Sequence, residues 1–232
     1  MKSTRFFILA VALLAFISFD SSIFAQSKKD LKEAEKRVNR ASKVMQEVMG
    51  IDDKAIPKEI LDKAKAVIVF PGVLKAAFII GGRGGEGVAV TRTATGWSAP
   101  AFLNLGGGSV GFQIGAEKID YVLVVLNDDG LKGLLEDKFE FGGEASVAAG
   151  PVGRTVAAST NATLDARILT YSRSQGAFAG VSIKGAVIKP SDLNQAIYKK
   201  SAMELLINDM TPWTSAPKNL QRFPKTVAMY AK

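Results

Sequence analysis

The sequence predicts an α+β protein: a mainly antiparallel β-sheet core with an N-terminal amphipathic helix in front and C-terminal helices behind. Three observations predict it. Leu31, Ala34, Val38, Ala41, Met45 and Val48 recur at alternating spacings of three and four, one apolar stripe of a helix. From Ala66 the apolar residues instead come in short, β-branched runs bounded by turn residues, the signature of strands. The chain also holds 22 glycines, most of them between Gly72 and Gly185, which suits tight turns and closely packed strands and does not suit a helical bundle.

The elements follow in order. Ser27 to Met49 reads as the first helix, with Ser27 and Asp30 at capping-box spacing and Gly50 placed to end it. Pro57 opens a second, short helix through Ala64 that turns Ile60, Leu61 and Ala64 inward. Ala66 to Phe70 is a buried strand closed by Pro71-Gly72. Ala76 to Ile80 and Val88 to Arg92 are strands around a glycine-rich turn, followed by strands at Trp97 to Leu105, Val110 to Ile114 and Ile119 to Leu126. Asn127 to Gly130 is a turn and Leu131 to Leu135 a short helix. Further strands are expected at Ala145 to Ala149, Thr155 to Ser159, Ile168 to Ser172, Phe178 to Ser182 and Ala186 to Ile188. Ser191 caps a helical region running to about Asn208, and Pro212 to Lys232 reads as an irregular tail with one short helix near Leu220. Phe70, Trp97, Phe102, Phe112 and Phe178 are assigned to the core.

The first 25 residues carry a separate message. Lys2 and Arg5 precede the apolar run Phe6 to Phe19, and Ile23-Phe24-Ala25 leads to Gln26. This is the pattern of a secretory signal peptide cleaved after Ala25. The run is shorter than the roughly 20 residues a bilayer span needs. Export, to a periplasm or cell envelope, is therefore expected. The remaining chain divides into a helix and linker at 26–55, a β-rich domain at 56–198 and a C-terminal helical extension and tail at 199–232.

Composition narrows the chemistry. There is no His and no Cys. That excludes Ser-His-Asp and Cys-His catalysis, His- or Cys-held zinc, iron–sulfur clusters and disulfides. General acid–base work would fall to Asp, Glu, Lys or Tyr. No catalytic residue, metal ligand or cofactor is assigned, and the expectation is a binding protein without enzymatic activity. An enzyme relying on Tyr171 or a carboxylate is the rival reading. Gly82-Arg-Gly84-Gly-Glu-Gly87 and Gly106-Gly-Gly108-Ser-Val-Gly111 both match G-x-G-x-x-G, but Val88-Ala-Val-Thr-Arg follows the first as a strand. A dinucleotide fingerprint needs a helix there to hold the pyrophosphate, so the glycines are assigned to turns. Asp52-Asp53 and Asp128-Asp129 are adjacent pairs that do not converge in regular structure; Asp53 lies just before a helix, and Asp128-Asp129-Gly130 is assigned to turn chemistry.

The charge is more telling. Lys+Arg number 30 against 22 Asp+Glu, a formal net charge of +8. On the first helix Lys29, Lys32, Lys36, Arg40 and Lys43 gather opposite the apolar stripe. Lys32, Lys36 and Arg40 are successive i,i+4 neighbours, an arrangement of mutual repulsion. A solvated face usually mixes the two signs, and a polyanion-binding ridge does not. Basic residues opposite the stripe, rather than at its borders, suggest that the apolar side packs on the protein body instead of lying in lipid.

From Ile56 onward the sequence resembles a known family. Ile56-Pro57, Leu61, Ala64-Lys-Ala-Val-Ile-Val-Phe70-Pro71, Gly81-Gly-Arg-Gly-Gly-Glu-Gly87-Val88, Thr91-Arg92, Gly96-Trp-Ser-Ala-Pro-Ala-Phe102, Gly108-Ser-Val-Gly-Phe-Gln-Ile-Gly115, Ala148-Ala-Gly-Pro-Val-Gly-Arg154, Tyr171-Ser-Arg-Ser-Gln-Gly176 and Phe178-Ala-Gly-Val-Ser182 resemble, in order, the blocks of the SYLF domain. The resemblance implies phospholipid binding, with the N-terminal helix taking part in membrane contact. The family tends to carry Tyr-Gly near the domain end, where this chain has Tyr198-Lys199. Actin binding belongs to cytoplasmic members and is not expected of an exported chain. Nor is nucleic acid. The sequence thus leads to binding of anionic phospholipid head groups at an envelope membrane through Lys32, Lys36, Arg40 and Lys43 on the helix and Arg83, Arg92, Arg154, Arg173 and Lys184 on the sheet domain. The alternative is an envelope interaction protein whose partner is another protein.

Overall fold

The computed structural model describes residues 27–51, 55–78, 80–110, 115–136, 147–153, 166–174, 177–181, 183 and 185–231. The expected leader at 1–25, the strand expected at Thr155 to Ser159, and Phe112, Arg154 and Lys184 lie outside them.

Helix α1 occupies residues 27–49 with the apolar stripe buried along its length: Ala34, Val38, Ala41, Met45 and Val48 are fully covered. A short α2 (Lys58–Asp62) leads into β1 (Ala66–Phe78) and β2 (Ile80–Thr93). After β3 (Gly96–Trp97) come β4 (Ala101–Val110) and β5 (Gly115–Val125). The Asp128-Asp129-Gly130 segment, expected as a turn, is the first turn of α3 (Asp128–Leu135), whose N-cap Asn127 side chain accepts from the Gly130 N–H. Strands β6 (Val147–Ala149), β7 (Ile168–Ser174), β8 (Ala177–Gly180) and β9 (Ala186–Pro190) complete the sheet. Its order is β6-β7-β5-β1-β2-β4-β9, with β3 on β2 and β8 on β7. Among these described strands only the β6–β7 pairing is parallel.

The helical region expected from Ser191 to about Asn208 is broken. Helix α4 (Leu193–Tyr198) stops at Lys199, which takes φ 56°, a left-handed conformation that glycine adopts without steric cost. Ser201 and Glu204 then form a capping box: the Ser201 N–H donates to the carboxylate at 2.7 Å, holding its pKa below the usual range, and the Glu204 N–H donates back to Ser201 Oγ at 3.2 Å. A π-helical turn follows at Glu204–Asn208.

Two apolar layers sandwich the sheet. One lies between its first face and α1, α2 and the C-terminal segment, and includes Val67, Val69, Val88, Val90, Phe102, Leu220, Phe223 and Val227. The other lies on the opposite face, with Phe70, Ala89, Leu103, Tyr121 and Leu123 meeting Leu131, Leu134, Leu205 and Leu206. Helix α3 follows β5 yet reaches β9 on the far side, so the sheet curls around this second layer. Phe70, Trp97, Phe102 and Phe178 are buried, as expected.

Two expectations need correcting. The first concerns the glycines. Gly81 to Gly87 and Gly106 to Gly108 are not turn glycines; they lie inside β2 and β4, in register with β1 and with each other. At two of them the neighbouring strand dictates the choice. A Cβ on Gly87 would fall 2.4 Å from the Phe70 ring, and one on Gly85 would fall 2.6 Å from Val73. Pro71-Gly72 likewise does not close β1 but forms a bulge within it, between Phe70 and Val73 in the register with β5. Gly72 has φ +60°, and its N–H donates to Asp120 Oδ1 at 2.7 Å.

The second concerns the C-terminus. Pro212 to Lys232 is not an irregular tail. Two 3₁₀ turns, Trp213–Ser215 and Lys218–Leu220, lead into α5 (Arg222–Tyr230), whose Phe223 and Val227 are fully buried. Pro224 sits in its first turn, where no intrahelical N–H bond is lost.

Candidate functional site

Both α1 and α5 lay their apolar sides on the same face of the sheet, so their polar sides point away from it together. Two bridges tie them: Asn219 Nδ2 donates to Glu35 Oε2 at 3.0 Å, and Arg222 Nη1 donates to Asn39 Oδ1 at 3.2 Å. The outward surface of this pair is built by a sorting of charge. Three of the four acids of α1 are engaged by other side chains: Glu33 accepts from buried Arg37, Glu35 from Asn219, and Glu47 meets Arg173 at 2.5 Å. The lysines Lys28, Lys29, Lys32, Lys36 and Lys43 are all exposed. Lys43 has Glu47 at 3.7 Å, but its side chain remains 74% exposed. From α5 and the turn before it come Lys218, Arg222 and Lys225, also exposed, in a segment where no Asp or Glu occurs between Thr211 and Lys232. Lys225 Nζ stands 4.9 Å from the Trp213 ring centroid, and Met229 is 66% exposed beside this group.

Sequence reasoning placed Lys32, Lys36 and Lys43 where the structure has them. It missed Lys218, Arg222 and Lys225. The signal for them was legible: a run of more than twenty residues with several cations and no acid.

Arg40 departs from the expected ridge. Its Nη2 donates to the Pro71 carbonyl at 2.7 Å and its Nη1 lies 3.9 Å from Glu86, so it leans onto the β1 bulge. Arg37, which was not singled out, is the deeper cation: Nη2 is 2.8 Å from Glu86, Nε 3.2 Å from Glu33 and Nη1 3.2 Å from Asn104.

Among the described sheet-domain arginines, Arg92 and Arg173 are engaged within the fold, and Arg173 shares Glu47 with Lys43 of α1. Arg92 donates to the carbonyls of Ala64 and Leu61 at 2.9 and 3.1 Å and stacks 4.7 Å from the Trp97 centroid, which ties the end of α2 to the sheet. Arg173 is held by Asp120 at 2.7 Å and by Glu47. Burial works against its charge, but Asp120 and then Glu47 outweigh that and hold its pKa above the ordinary arginine value. Both arginines are thus engaged within the fold. Arg83 is not in the glycine-rich turn expected between Ile80 and Val88. It lies mid-strand in β2, three residues from Glu86 and therefore on the other face of the sheet.

The rival catalytic reading meets a sealed phenol. Tyr171 is fully buried against Phe178, a Cβ on Gly150 would fall 2.0 Å from its ring, and burial pushes its pKa far up. Among the described residues no helix is long and apolar enough to cross a membrane.

The Ysc84 family, described as Las17-binding protein actin regulator, matches residues 106–227. The chain belongs to this family, the SYLF domain family. It is 38% identical over 151 residues to LAS seventeen-binding protein 3 of Saccharomyces cerevisiae, covering 63% of this chain and 33% of that one. SH3 domain-containing YSC84-like protein 1 of Homo sapiens is 33% identical over 191 residues, 78% of this chain and 55% of that one. Protein YSC84 of Saccharomyces cerevisiae is 34% identical over 185 residues, 78% of this chain and 39% of that one. The chain thus spans from a third to just over half of these SYLF relatives.

Proposed function

We propose that this SYLF protein binds anionic phospholipid head groups at a membrane surface of the cell envelope, without catalysis, through the paired outward faces of α1 and α5. The observation that carries the reading is the sorting of charge: three of the four acids of α1 are engaged by Arg37, Asn219 and Arg173 and the lysines are left in solvent, while the adjoining C-terminal segment has no acid at all. Each Lys or Arg close to an anionic bilayer contributes about 1 kcal/mol, so eight cations on one surface suffice for peripheral attachment. The apolar side of α1 is occupied by the protein's own core, so attachment is electrostatic and does not involve inserting that helix.

The test is co-sedimentation of the purified protein with lipid vesicles. Phosphatidylglycerol vesicles should carry the protein down at low salt and release it near 0.5 M salt, where screening falls to a few Å. Phosphatidylcholine vesicles should leave it in solution. Equal binding to both lipids would refute the electrostatic reading. The name of the yeast relative, a Las17-binding protein, favours a protein partner as the second reading. Failure on every vesicle, with salt-insensitive capture of a defined protein, would select it.

A further inference from the structure

The opposite face of the sheet holds a second, separate cluster of cations. In β2, Val88 and Val90 face the layer under α1 and Ala89 faces the other layer, so Arg83 shares the face of Ala89. The register sets Glu117, Lys75, Arg83 and Gly107 side by side across β5, β1, β2 and β4. Directly opposed side chains of like charge destabilise a strand pair, yet Lys75 and Arg83 are directly opposed and neither makes an ion pair among the described residues. Glu117, the carboxylate of the row, accepts from Ser174 Oγ on β7 and forms no ion pair with Lys75. The Nε of Arg83 is buried without a hydrogen-bond partner. A buried donor left without an acceptor loses its water and gains nothing in return. Tyr121, on the same face of β5 two positions along and past Ile119, feels Arg83: burial raises its pKa, Arg83 counters that, and Glu117 adds to the rise. At the end of the row the Gly185 carbonyl stands 2.3 Å from where a Gly107 Cβ would be, so backbone walls the site there.

We propose that Arg83 and Lys75, with the Tyr121 phenol further along the same face, form a binding site for a phosphoryl group on the face of the sheet away from α1. A planar guanidinium offers several N–H donors to phosphoryl oxygens, an ammonium supplies a second positive charge and a phenol a neutral donor. An anion between Arg83 and Lys75 removes their repulsion and satisfies the orphaned Nε together. The phosphoryl group comes either from a lipid head group or from free phosphate, and the site is independent of the helical face.

Calorimetric titration with inorganic phosphate and with glycerol 3-phosphate, in chloride buffer at constant ionic strength, tests this. Both single variants, Arg83→Gln and Lys75→Gln, should weaken binding at least tenfold. The Lys29→Gln/Lys32→Gln/Lys36→Gln/Lys43→Gln variant should bind these ligands as the unsubstituted protein does while losing vesicle attachment. Lys75 is only half-buried, so its variant reports on the site even if Arg83→Gln impairs folding. Tighter binding of glycerol 3-phosphate than of phosphate would support the site and identify a lipid head group as its source; equal binding would support it and point to free phosphate. Absence of binding by either ligand, or unchanged affinity in Lys75→Gln, would overturn the proposal and leave the vesicle result untouched.

Discussion

Val38→Asp should abolish cooperative folding or lower the thermal midpoint by more than ten degrees. Val38 has no accessible surface, and its neighbours along the stripe, Ala34, Ala41 and Met45, have none either. Burying an ionised carboxylate there without a partner costs several kcal/mol, a large share of the roughly 5–15 kcal/mol that stabilises a domain. Circular dichroism through a thermal ramp checks it. A variant that melts like the parent but no longer sediments with anionic vesicles would mean that the apolar side of α1 leaves the protein to enter lipid, against the packing described above.

Arg37→Ala should cost about 2–3 kcal/mol in urea denaturation, and Arg40→Ala, one turn away, less than about 1 kcal/mol. The difference lies in what each arginine holds. The Arg37 side chain is 9% exposed and joins Glu33 of α1 to Glu86 of β2 and Asn104 of β4. Removing it leaves Glu86 without its 2.8 Å partner, though that carboxylate is 42% exposed and water softens the loss. Arg40 is 41% exposed, with one close bond to a carbonyl. Equal losses in the two variants would show that Arg37 does not clamp α1 to the sheet.

The two arginines also show where sequence reading reached its limit. The stripe from Leu31 to Val48 placed α1 at residues 27–49 because a helix's period is local and its partner need only be apolar. Short apolar runs located the inner parts of β1 and β5, Ala66 to Phe70 and Ile119 to Val125, but not their full lengths. Which basic residue of α1 points down is decided by Glu86 on a strand about fifty residues later, and nothing in the helix's own pattern distinguishes Arg37 from Arg40. The glycines of β2 failed for a similar reason. Gly85 and Gly87 are required by Val73 and Phe70 across the bulge in β1, a contact between strands that reads locally as turn composition. At the C-terminus, Pro212, Pro217 and Pro224 read as helix breakers, yet Pro224 occupies the one turn of α5 that tolerates it. Of the candidate site, the lysines of α1 were legible because one charge recurs every three or four residues opposite the apolar stripe. The cations of α5 were legible as an acid-free run, but their place beside α1 was hidden with the helix, and the engagement of Arg92 and Arg173 inside the fold depends on Trp97, Asp120 and Glu47, which only the tertiary structure brings together.

The most direct test of the account is a vesicle titration of the Lys29→Gln/Lys32→Gln/Lys36→Gln/Lys43→Gln variant against the parent protein, on phosphatidylglycerol at low salt. Lys29, Lys32 and Lys36 stand exposed, and Lys43 has only a surface pair with Glu47, so the variant should melt within a few degrees of the parent. Four fewer charges at about 1 kcal/mol each predict a loss of affinity of at least tenfold, with the remaining binding still sensitive to salt through Lys218, Arg222 and Lys225. Unchanged affinity in a normally folded variant would contradict the claim that the outward face of α1 meets the membrane.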